Sequence, residues 1–338
     1  MTKKRLCICY LVVMACLVAG TNTLLAKAQP HDPYETLQQR IRNMAAQHGE
    51  IVHLCSLGLS AEKRDLWLVE LGRGSVQERQ QRPAMLVVAG IEGNDLIGAD
   101  IALAWVETLA KGDKTNQAIN TLLNTTTFYV IPRLNPDSIE KRFTSCQVEI
   151  STSVKAFDDD HDGLKDEDGP EDLNGDHMVT RMRVKDPEGD YILDPKDDRL
   201  LIKADALKGQ VGSWRTLQEG IDNDQDEQWN EDGPGGINFN RNFPFNYSFF
   251  APDAGIHQVS ESETRALADF IVAHPQIGLI VTYGAADNLV KTPDTEADPE
   301  PRRPLTKIDE EDIGYYEKMG EMYRQALGLE DELEGHAE

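Results

Sequence analysis

Three short apolar runs constrain the fold of this chain more than any other feature. They lie at 84–89, 126–131 and 277–282, and polar residues do not alternate with apolar ones in any of them. A strand without alternation is buried on both faces, which is typical of a parallel sheet covered by helices. The runs therefore predict a central sheet inside an α/β domain.

The segments around these runs supply the helices and the outer strands. Helical periodicity is found at 32–47, 96–111, 116–123, 260–273 and 310–327, and alternating strands at 51–57 and 65–71. Ser260 and Glu263 have the spacing of a capping box that opens the fourth helix. We therefore expect an α/β sandwich with a largely parallel or mixed sheet. Between 138 and 237 we expect an irregular insertion rich in Asp and Gly.

The N-terminus has the three-part pattern of a secretory signal. Basic residues at 3–5 precede an apolar run at 6–19, and Ala26-Lys27-Ala28 offers small residues for cleavage. We expect a signal peptide at 1–28, a mature domain at 29–338, and a secreted or periplasmic protein without a stable membrane anchor. A lipoprotein attached through Cys16 is the alternative.

Two cysteines, Cys55 and Cys146, remain after such cleavage. An oxidising compartment would permit a disulfide between them, and two separate thiols are the alternative. The formal net charge of −25 argues against a nucleic acid or an anionic membrane as partner, because both require a positive surface.

Four segments occur in an ordered series, each at a strand end. They read Val-Val-Ala-Gly-Ile-Glu-Gly-Asn-Asp at 87–95, Val-Ile-Pro-Arg-Leu-Asn-Pro-Asp at 130–137, Asn-Phe-Asn-Arg-Asn-Phe-Pro at 238–244 and Leu-Ile-Val-Thr-Tyr-Gly at 279–284. The series resembles the zinc metallocarboxypeptidase family (carboxypeptidase A-like) from about residue 51 to about residue 328. The resemblance implies a carboxypeptidase-like fold, which is an α/β three-layer sandwich with a mixed central sheet. It also implies a zinc cofactor and proteolysis at peptide C-termini.

The zinc ligands of that family are substituted in this sequence. The family uses a His and a Glu three residues apart, together with a distal His. The matching positions here are Glu92, Asp95 and Thr282, or Tyr283 if the alignment shifts by one. Oxygen ligands suit calcium, magnesium or manganese better than zinc. We expect zinc catalysis to be lost, and an altered metal site, a structural role and substrate contact remain open for the two carboxylates.

The element of the family that binds the substrate carboxylate is retained. Asn240 and Arg241 match it, and Arg142 is the candidate for an additional arginine. A guanidinium can bind a carboxylate with two parallel hydrogen bonds. We expect a peptide or a small carboxylate as ligand, and an internal salt bridge is the alternative for Arg241. The segment 135–137 is interpreted as a structural turn.

The resemblance also implies a general-base glutamate on a late strand. Glu317 and Glu321 lie in the helix predicted at 310–327, and the sequence ends at Glu338 without such a strand. We therefore assign no catalytic residue, and we expect the closing elements of the sheet to be missing.

Within the insertion, oxygen-bearing side chains alternate in three places. This spacing lets several oxygens converge on one hard cation and predicts calcium loops of modest affinity. It resembles an insertion of some bacterial secreted members of the family, and a solvated acidic loop is the alternative. A calcium-dependent adhesion or scaffold module is a further interpretation of the whole chain. The predicted ligands are Asp158, Asp160, Asp162, Asp166 and Glu167, then Asp172, Asn174 and Asp176, then Asp222, Asp224, Asp226 and Asn230.

Overall fold

The structure is a computed structural model that describes residues 31–156, 158, 163, 165–166, 168–223, 229–230, 236–284, 289, 294–296 and 307–327. The predicted signal at 1–28 lies outside the described residues. The helices are α1 (Tyr34–Gln47), α2 (Val76–Gln81), α3 (Leu96–Gly112), α4 (Gln117–Thr125), α5 (Pro136–Glu140), α6 (Phe239–Asn242), α7 (Ser262–Ala273) and α8 (Ile313–Leu327). The strands are β1 (Val52–Leu59), β2 (Asp65–Leu71), β3 (Ala84–Val88), β4 (Thr127–Ile131), β5 (Arg181–Lys185), β6 (Tyr191–Asp194), β7 (Asp197–Lys203), β8 (Trp214–Gln218), β9 (Ile277–Thr282), β10 (Thr295–Glu296) and β11 (Ile308–Asp309).

The main sheet is mixed, as predicted. Its strand order is β1-β2-β4-β3-β9, and β3 runs parallel to both β4 and β9. The pairs β1–β2 and β2–β4 are antiparallel. Every residue of β3 and β4 is buried, which confirms the interpretation of the runs at 84–89 and 126–131. The prediction that the run at 277–282 is buried on both faces is wrong, because half-buried and exposed residues alternate along β9, the last strand in the order of this sheet.

Helices cover both faces of this sheet, so the three-layer architecture is confirmed. On one face α1, α3 and α4 enclose a core in which the rings of Trp105 and Phe128 meet edge to face at 5.5 Å. On the other face Phe239 of α6 and Leu267 and Phe270 of α7 form a second core. Burial of these apolar surfaces holds the helices against the sheet.

The predicted capping box at Ser260 is wrong. Helix α7 begins at Ser262, and Glu261 precedes it without a side-chain cap. The Ser260 hydroxyl instead accepts a hydrogen bond from Asn242, 2.9 Å away, and the Glu263 carboxylate accepts one from the N–H of Ala61 at 3.1 Å. Both side chains are thus committed to distant parts of the chain, which local spacing does not reveal.

The expectation that the whole insertion is irregular is also wrong. Residues 181–218 form a second sheet with the order β5-β8-β6-β7. Exposed and half-buried residues alternate in β5 along Arg-Met-Arg-Val-Lys, a period-two pattern that signals a strand. The acidic composition of the flanking segments obscured this signal.

The two remaining cysteines do not form a disulfide. Cys55 is exposed on β1, Cys146 is half-buried, and both are free thiols. In the described part of the chain, no helix combines the length and the apolar character needed to cross a membrane.

The central sheet predicts where the chain is most sensitive to truncation of a side chain. Replacing the fully buried Leu103 with Ala leaves a cavity in the core between the sheet and the α1, α3 and α4 layer, so we expect a loss of about 2–5 kcal/mol of unfolding free energy. The matched control is Ile97→Ala in the same helix, where the side chain is 65% exposed and the change should be within about 0.5 kcal/mol. Urea denaturation measures both. Equal losses would contradict this placement of α3.

Candidate functional site

The carboxyl ends of the parallel strands define the candidate site. Val88 at the end of β3 lies opposite Ile131 in β4 and Thr282 in β9. The turns that follow these strands therefore emerge at one edge of the sheet, where α/β proteins commonly bind ligands. They carry three of the four segments that support the resemblance.

Glu92 and Asn240, predicted for different roles, are in contact. The Asn240 side-chain amide donates to Glu92 Oε1 at 2.7 Å, although the two residues are 148 positions apart. This bond joins the turn after β3 to helix α6. The structure thus places Glu92, which the resemblance predicts at a metal position, beside Asn240, which it predicts to bind a carboxylate.

Asp95 caps helix α3. Its Oδ1 accepts a hydrogen bond from the N–H of Gly98 at 3.0 Å, which satisfies a free donor at the helix start. A Cβ on Gly98 would lie 2.5 Å from Asp95 Oδ2 and 2.7 Å from the Cβ of Tyr283, so the glycine permits this close packing. Asp95 Oδ2 is buried and has no hydrogen-bond partner among the residues that the structure describes.

The distal zinc position carries no nitrogen ligand. Thr282 is exposed at the end of β9, and its neighbour Tyr283 packs against the core of the α1, α3 and α4 layer. Burial raises the pKa of the Tyr283 hydroxyl above its ordinary value, so the phenol is neutral at pH 7.

These side chains do not fit zinc as the family holds it. The set offers carboxylate, hydroxyl and phenol oxygens, whereas catalytic zinc sites are built on His with carboxylate or Cys. One oxygen of each carboxylate already accepts a hydrogen bond from within the protein. Among the described residues, no cluster of three or more His, Cys, Asp or Glu side chains could hold a metal ion.

The two candidate arginines are separately paired. Arg241 donates from Nη1 to Asp253 at 2.7 Å, and Arg142 lies 3.2 Å from the Glu149 carboxylate. The Arg241 side chain is still 44% exposed, so a ligand can reach it. The internal salt bridge, which was the alternative for Arg241, is therefore present.

The segment 135–137 forms the structural turn that its sequence predicts. Asn135 caps helix α5, and the buried Asp137 carboxylate accepts hydrogen bonds from Ser60 at 2.7 Å and from Arg64 at 2.7 Å. A buried carboxylate that receives several donors fixes its surroundings rigidly. These contacts tie the turn after β4 to the loop between β1 and β2.

The second acidic loop is folded around its carboxylates. Asp172 Oδ1 accepts the N–H of Gly175 at 2.7 Å, and Asn174 Oδ1 accepts the N–H of Asp176 at 2.8 Å. Bonds of this kind turn the backbone tightly through the loop. Asp160, Asp162, Glu167, Asp224 and Asp226, from the other two loops, lie outside the described residues, whereas Asp158, Asp166, Asp222 and Asn230 are described.

Two buried carboxylates organise the insertion, and the sequence analysis missed both. Glu219, 4% exposed, accepts the N–H of Leu173 at 3.0 Å and both the N–H and the hydroxyl of Thr180. Asp168, fully buried, accepts the N–H of Asn223 at 2.9 Å and the N–H of Asn230 at 2.6 Å. Asp168 therefore connects the first acidic loop to the third. Neither residue could be distinguished from its acidic neighbours by spacing alone.

A family model and several curated proteins match part of this chain, and both are carboxypeptidases. Residues 37–169 match the family model described as zinc carboxypeptidase. The chain is 34% identical over 108 residues to carboxypeptidase D of Anas platyrhynchos, covering 32% of this chain and 8% of that protein. It is 31% identical over 157 residues to carboxypeptidase D of Homo sapiens, covering 46% of this chain and 11% of that protein. The chain thus spans about a tenth of these relatives.

Two solved structures align with part of this chain. Bovine thrombin-activatable fibrinolysis inhibitor, in complex with tick carboxypeptidase inhibitor, aligns with a TM-score of 0.41 at 16% identity, over 75% of this chain and 60% of that chain. Carboxypeptidase A from Helicoverpa armigera aligns with a TM-score of 0.43 at 13% identity, over 75% of this chain and 46% of that chain.

The environment of Glu219 predicts a specific dependence of stability on pH. Hydrogen bonds, first that from the N–H of Thr180, hold the pKa of Glu219 below its ordinary value of 4.5, against an opposing effect of burial. A carboxylate with a lowered native pKa stabilises the fold above its unfolded pKa, and this stabilisation disappears as the pH falls through the native pKa. We expect wild type to exceed Glu219→Gln in unfolding free energy by a constant amount above pH 5, and by progressively less below pH 4.5.

Urea denaturation from pH 7 to pH 3.5 in a chelating buffer measures this difference. Glu188→Gln is the matched control, because Glu188 is an exposed carboxylate of the same insertion. Its difference from wild type should stay small throughout. A Glu219→Gln difference that did not shrink on acidification would show that the charge of Glu219 is not responsible.

Proposed function

We propose that this chain, whose residues 37–169 match the zinc carboxypeptidase family, is a non-catalytic derivative of that family that binds peptide C-termini. In this proposal the edge of the sheet keeps the family's recognition motif and has lost its zinc chemistry. The insertion binds calcium, which stabilises the domain outside the cell.

The observation that carries the proposal is the bonding of Glu92 and Asp95. Glu92 accepts the Asn240 amide, and Asp95 caps α3. The residues at two positions that hold zinc in the family thus maintain the local fold in this chain. Removing either one would leave a hydrogen-bond donor without its partner, which is costly where it is buried.

Arg241 supports recognition of a carboxylate. Its bond to Asp253 uses one nitrogen, Nη1, of a group that carries five N–H donors. Asp253 also orients the guanidinium, since it belongs to the loop that returns to Asn238 through a 2.8 Å backbone bond. A free peptide C-terminus would compete with Asp253 for this cation.

Calcium binding is supported by the second acidic loop. The bonds from backbone N–H groups to Asp172 and Asn174 preorganise the loop, and the side chains of Asn174 and Asp176 remain exposed. A preorganised loop binds a cation with less loss of conformational entropy. Extracellular calcium, at millimolar concentration, suits sites of modest affinity. A secreted protein with a cleavable signal at 1–28 would meet that concentration.

Metal analysis of the purified protein tests the loss of zinc catalysis. We expect no stoichiometric zinc, and no release of C-terminal residues from unblocked peptides when zinc is added. Glu92→His combined with Asp95→Glu is the informative comparison, because it restores the family's residues at these two positions. Stoichiometric zinc together with hydrolysis by the wild type would overturn the proposal.

The same preparation tests the calcium sites, before and after mild chelation. We expect calcium to raise the melting temperature and to protect residues 158–232 from proteolysis, because it neutralises clustered carboxylates. Asp172→Asn should reduce this protection, while Glu188→Gln should not. If added calcium changes neither quantity, the loops are solvated acidic segments.

The role of Arg241 is tested with a short peptide that has a free C-terminus. Arg241→Ala should weaken binding by about 1.5–3 kcal/mol, the range for a hydrogen bond to a charged group. Asp253→Asn should strengthen binding, since it removes the internal competitor. Calorimetry measures both, and the C-terminally amidated peptide is the control. Unchanged affinity in both variants would leave Arg241 a structural residue.

The unpartnered Asp95 Oδ2 favours one second candidate, a hydrolase with a hard cation at Glu92 and Asp95. Manganese or magnesium bound stoichiometrically by wild type, and lost in Asp95→Asn, would support it. The substitution is informative because Asn caps helices as well as Asp does, so the helix start is preserved.

A further inference from the structure

The inserted sheet has a cationic edge strand. β5 is the first strand in the order β5-β8-β6-β7, and within the described ranges its only strand partner is β8. Arg181, Arg183 and Lys185 alternate along it, and all three are exposed. Residues two apart in a strand lie on the same face, about 6.6–6.8 Å from each other. One face of this edge is therefore a row of positive charges.

The backbone register shows that the same residues point their peptide groups outward. On either side of β5, the N–H of Glu219 donates to the carbonyl of Thr180 at 2.9 Å, and the N–H of Asp186 donates to the carbonyl of Ser213 at 3.0 Å. In an antiparallel pair, hydrogen-bonded and non-hydrogen-bonded positions alternate. The even positions of β5 therefore bond to β8, and the N–H and C=O groups of the three cationic positions face away from it.

No carboxylate in the described structure forms an ion pair with these three cations. Arg181 donates to the Thr216 hydroxyl at 3.0 Å, and Arg183 donates to the carbonyl of Asp198 at 2.6 Å. By contrast, Arg215 on the adjacent strand is paired with Asp186. The chain has a net charge of −25, so most of its exposed cations can find a carboxylate. A row of three cations without a carboxylate partner among the described residues is therefore unusual in this chain.

The aromatic residue beside this row is not available for stacking. Arg183 lies 5.3 Å and Lys185 lies 5.5 Å from the centre of the Trp214 ring. Proteins that bind single-stranded nucleic acid need aromatic rings that are free to stack on bases. The geometry thus favours a ligand that pairs with the strand edge over one that stacks on a ring.

We propose that the outer edge of β5 binds an extended acidic peptide by strand addition, with carboxylates at alternate positions of the peptide opposite Arg181, Arg183 and Lys185. The outward peptide groups supply backbone hydrogen bonds, and cross-strand ion pairs select the acidic sequence. This site is separate from Arg241 and does not depend on the proposed function.

The test uses a fluorescent nine-residue peptide of alternating Asp and Thr, blocked at both ends so that Arg241 has no terminus to bind. Fluorescence anisotropy with the full chain should show binding that weakens as salt is raised. A peptide of the same composition, with its aspartates in one block, should bind at least about 10-fold more weakly, because its carboxylates do not match the period of the strand.

Three variants separate charge from strand addition. Arg181→Glu, Arg183→Glu and Lys185→Glu together should weaken binding roughly 10- to 100-fold, whereas Lys114→Glu, Lys196→Glu and Lys208→Glu together, with the same change of net charge, should not. Arg183→Pro should weaken binding more than Arg183→Gln, because proline also removes an outward N–H while leaving the bonds to β8 intact. Circular dichroism and the melting temperature confirm that each variant is folded.

Several outcomes would overturn the proposal. Equal binding of the two peptides, or equal loss in the control variant, would show a non-specific charge effect. Tighter binding of a single-stranded oligonucleotide would indicate a different ligand class, and a concentration-dependent dimer lost in the Arg/Lys→Glu variant would indicate a second copy of this chain. Without binding by wild type, the cations only protect the edge from unwanted strand pairing.

Discussion

Strand β3 is the element on which the rest of the structure depends. It is buried on both faces and lies between β4 and β9, with which it pairs in parallel. A strand in this position needs helices on both sides of the sheet, and α3 and α7 supply them. The parallel pairing also brings the ends of three strands to one edge. The contact between Glu92 and Asn240 lies at that edge, because Glu92 belongs to the turn after β3.

The insertion is organised by a different force. Its segments have few apolar residues to bury, and buried carboxylates take the place of a core. Glu219 accepts hydrogen bonds from N–H groups of the second loop, and Asp168 accepts them from N–H groups of the third. Hydrogen bonds hold the pKa of Glu219 below its ordinary value, so this part of the arrangement is stabilised only while Glu219 is charged. The insertion is therefore expected to respond to pH and to cations in a way that the central sheet does not.

Much of the fold could be predicted from the sequence, because patterns of residues indicate burial and local backbone preference. The runs at 84–89 and 126–131 became buried parallel strands, and the helix predicted at 96–111 forms as α3. The prediction of an irregular insertion is wrong over 181–218, where strands β5 to β8 form a sheet. The acidic segments on either side made the alternating patterns of these strands hard to detect. The capping box at Ser260 failed because Asn242 and Ala61 compete for its two side chains.

The sequence by itself determined the residue types at the candidate site: carboxylates at 92 and 95, a hydroxyl at 282 and an arginine at 241. It thereby determined that the family's nitrogen ligands for zinc are missing from these positions. Only the tertiary structure decided what each side chain bonds to. Asn240 meets Glu92 across 148 positions, and Arg241 meets Asp253 through a surface loop. The packing of distant segments determines these partners, and no local pattern of residues predicts them.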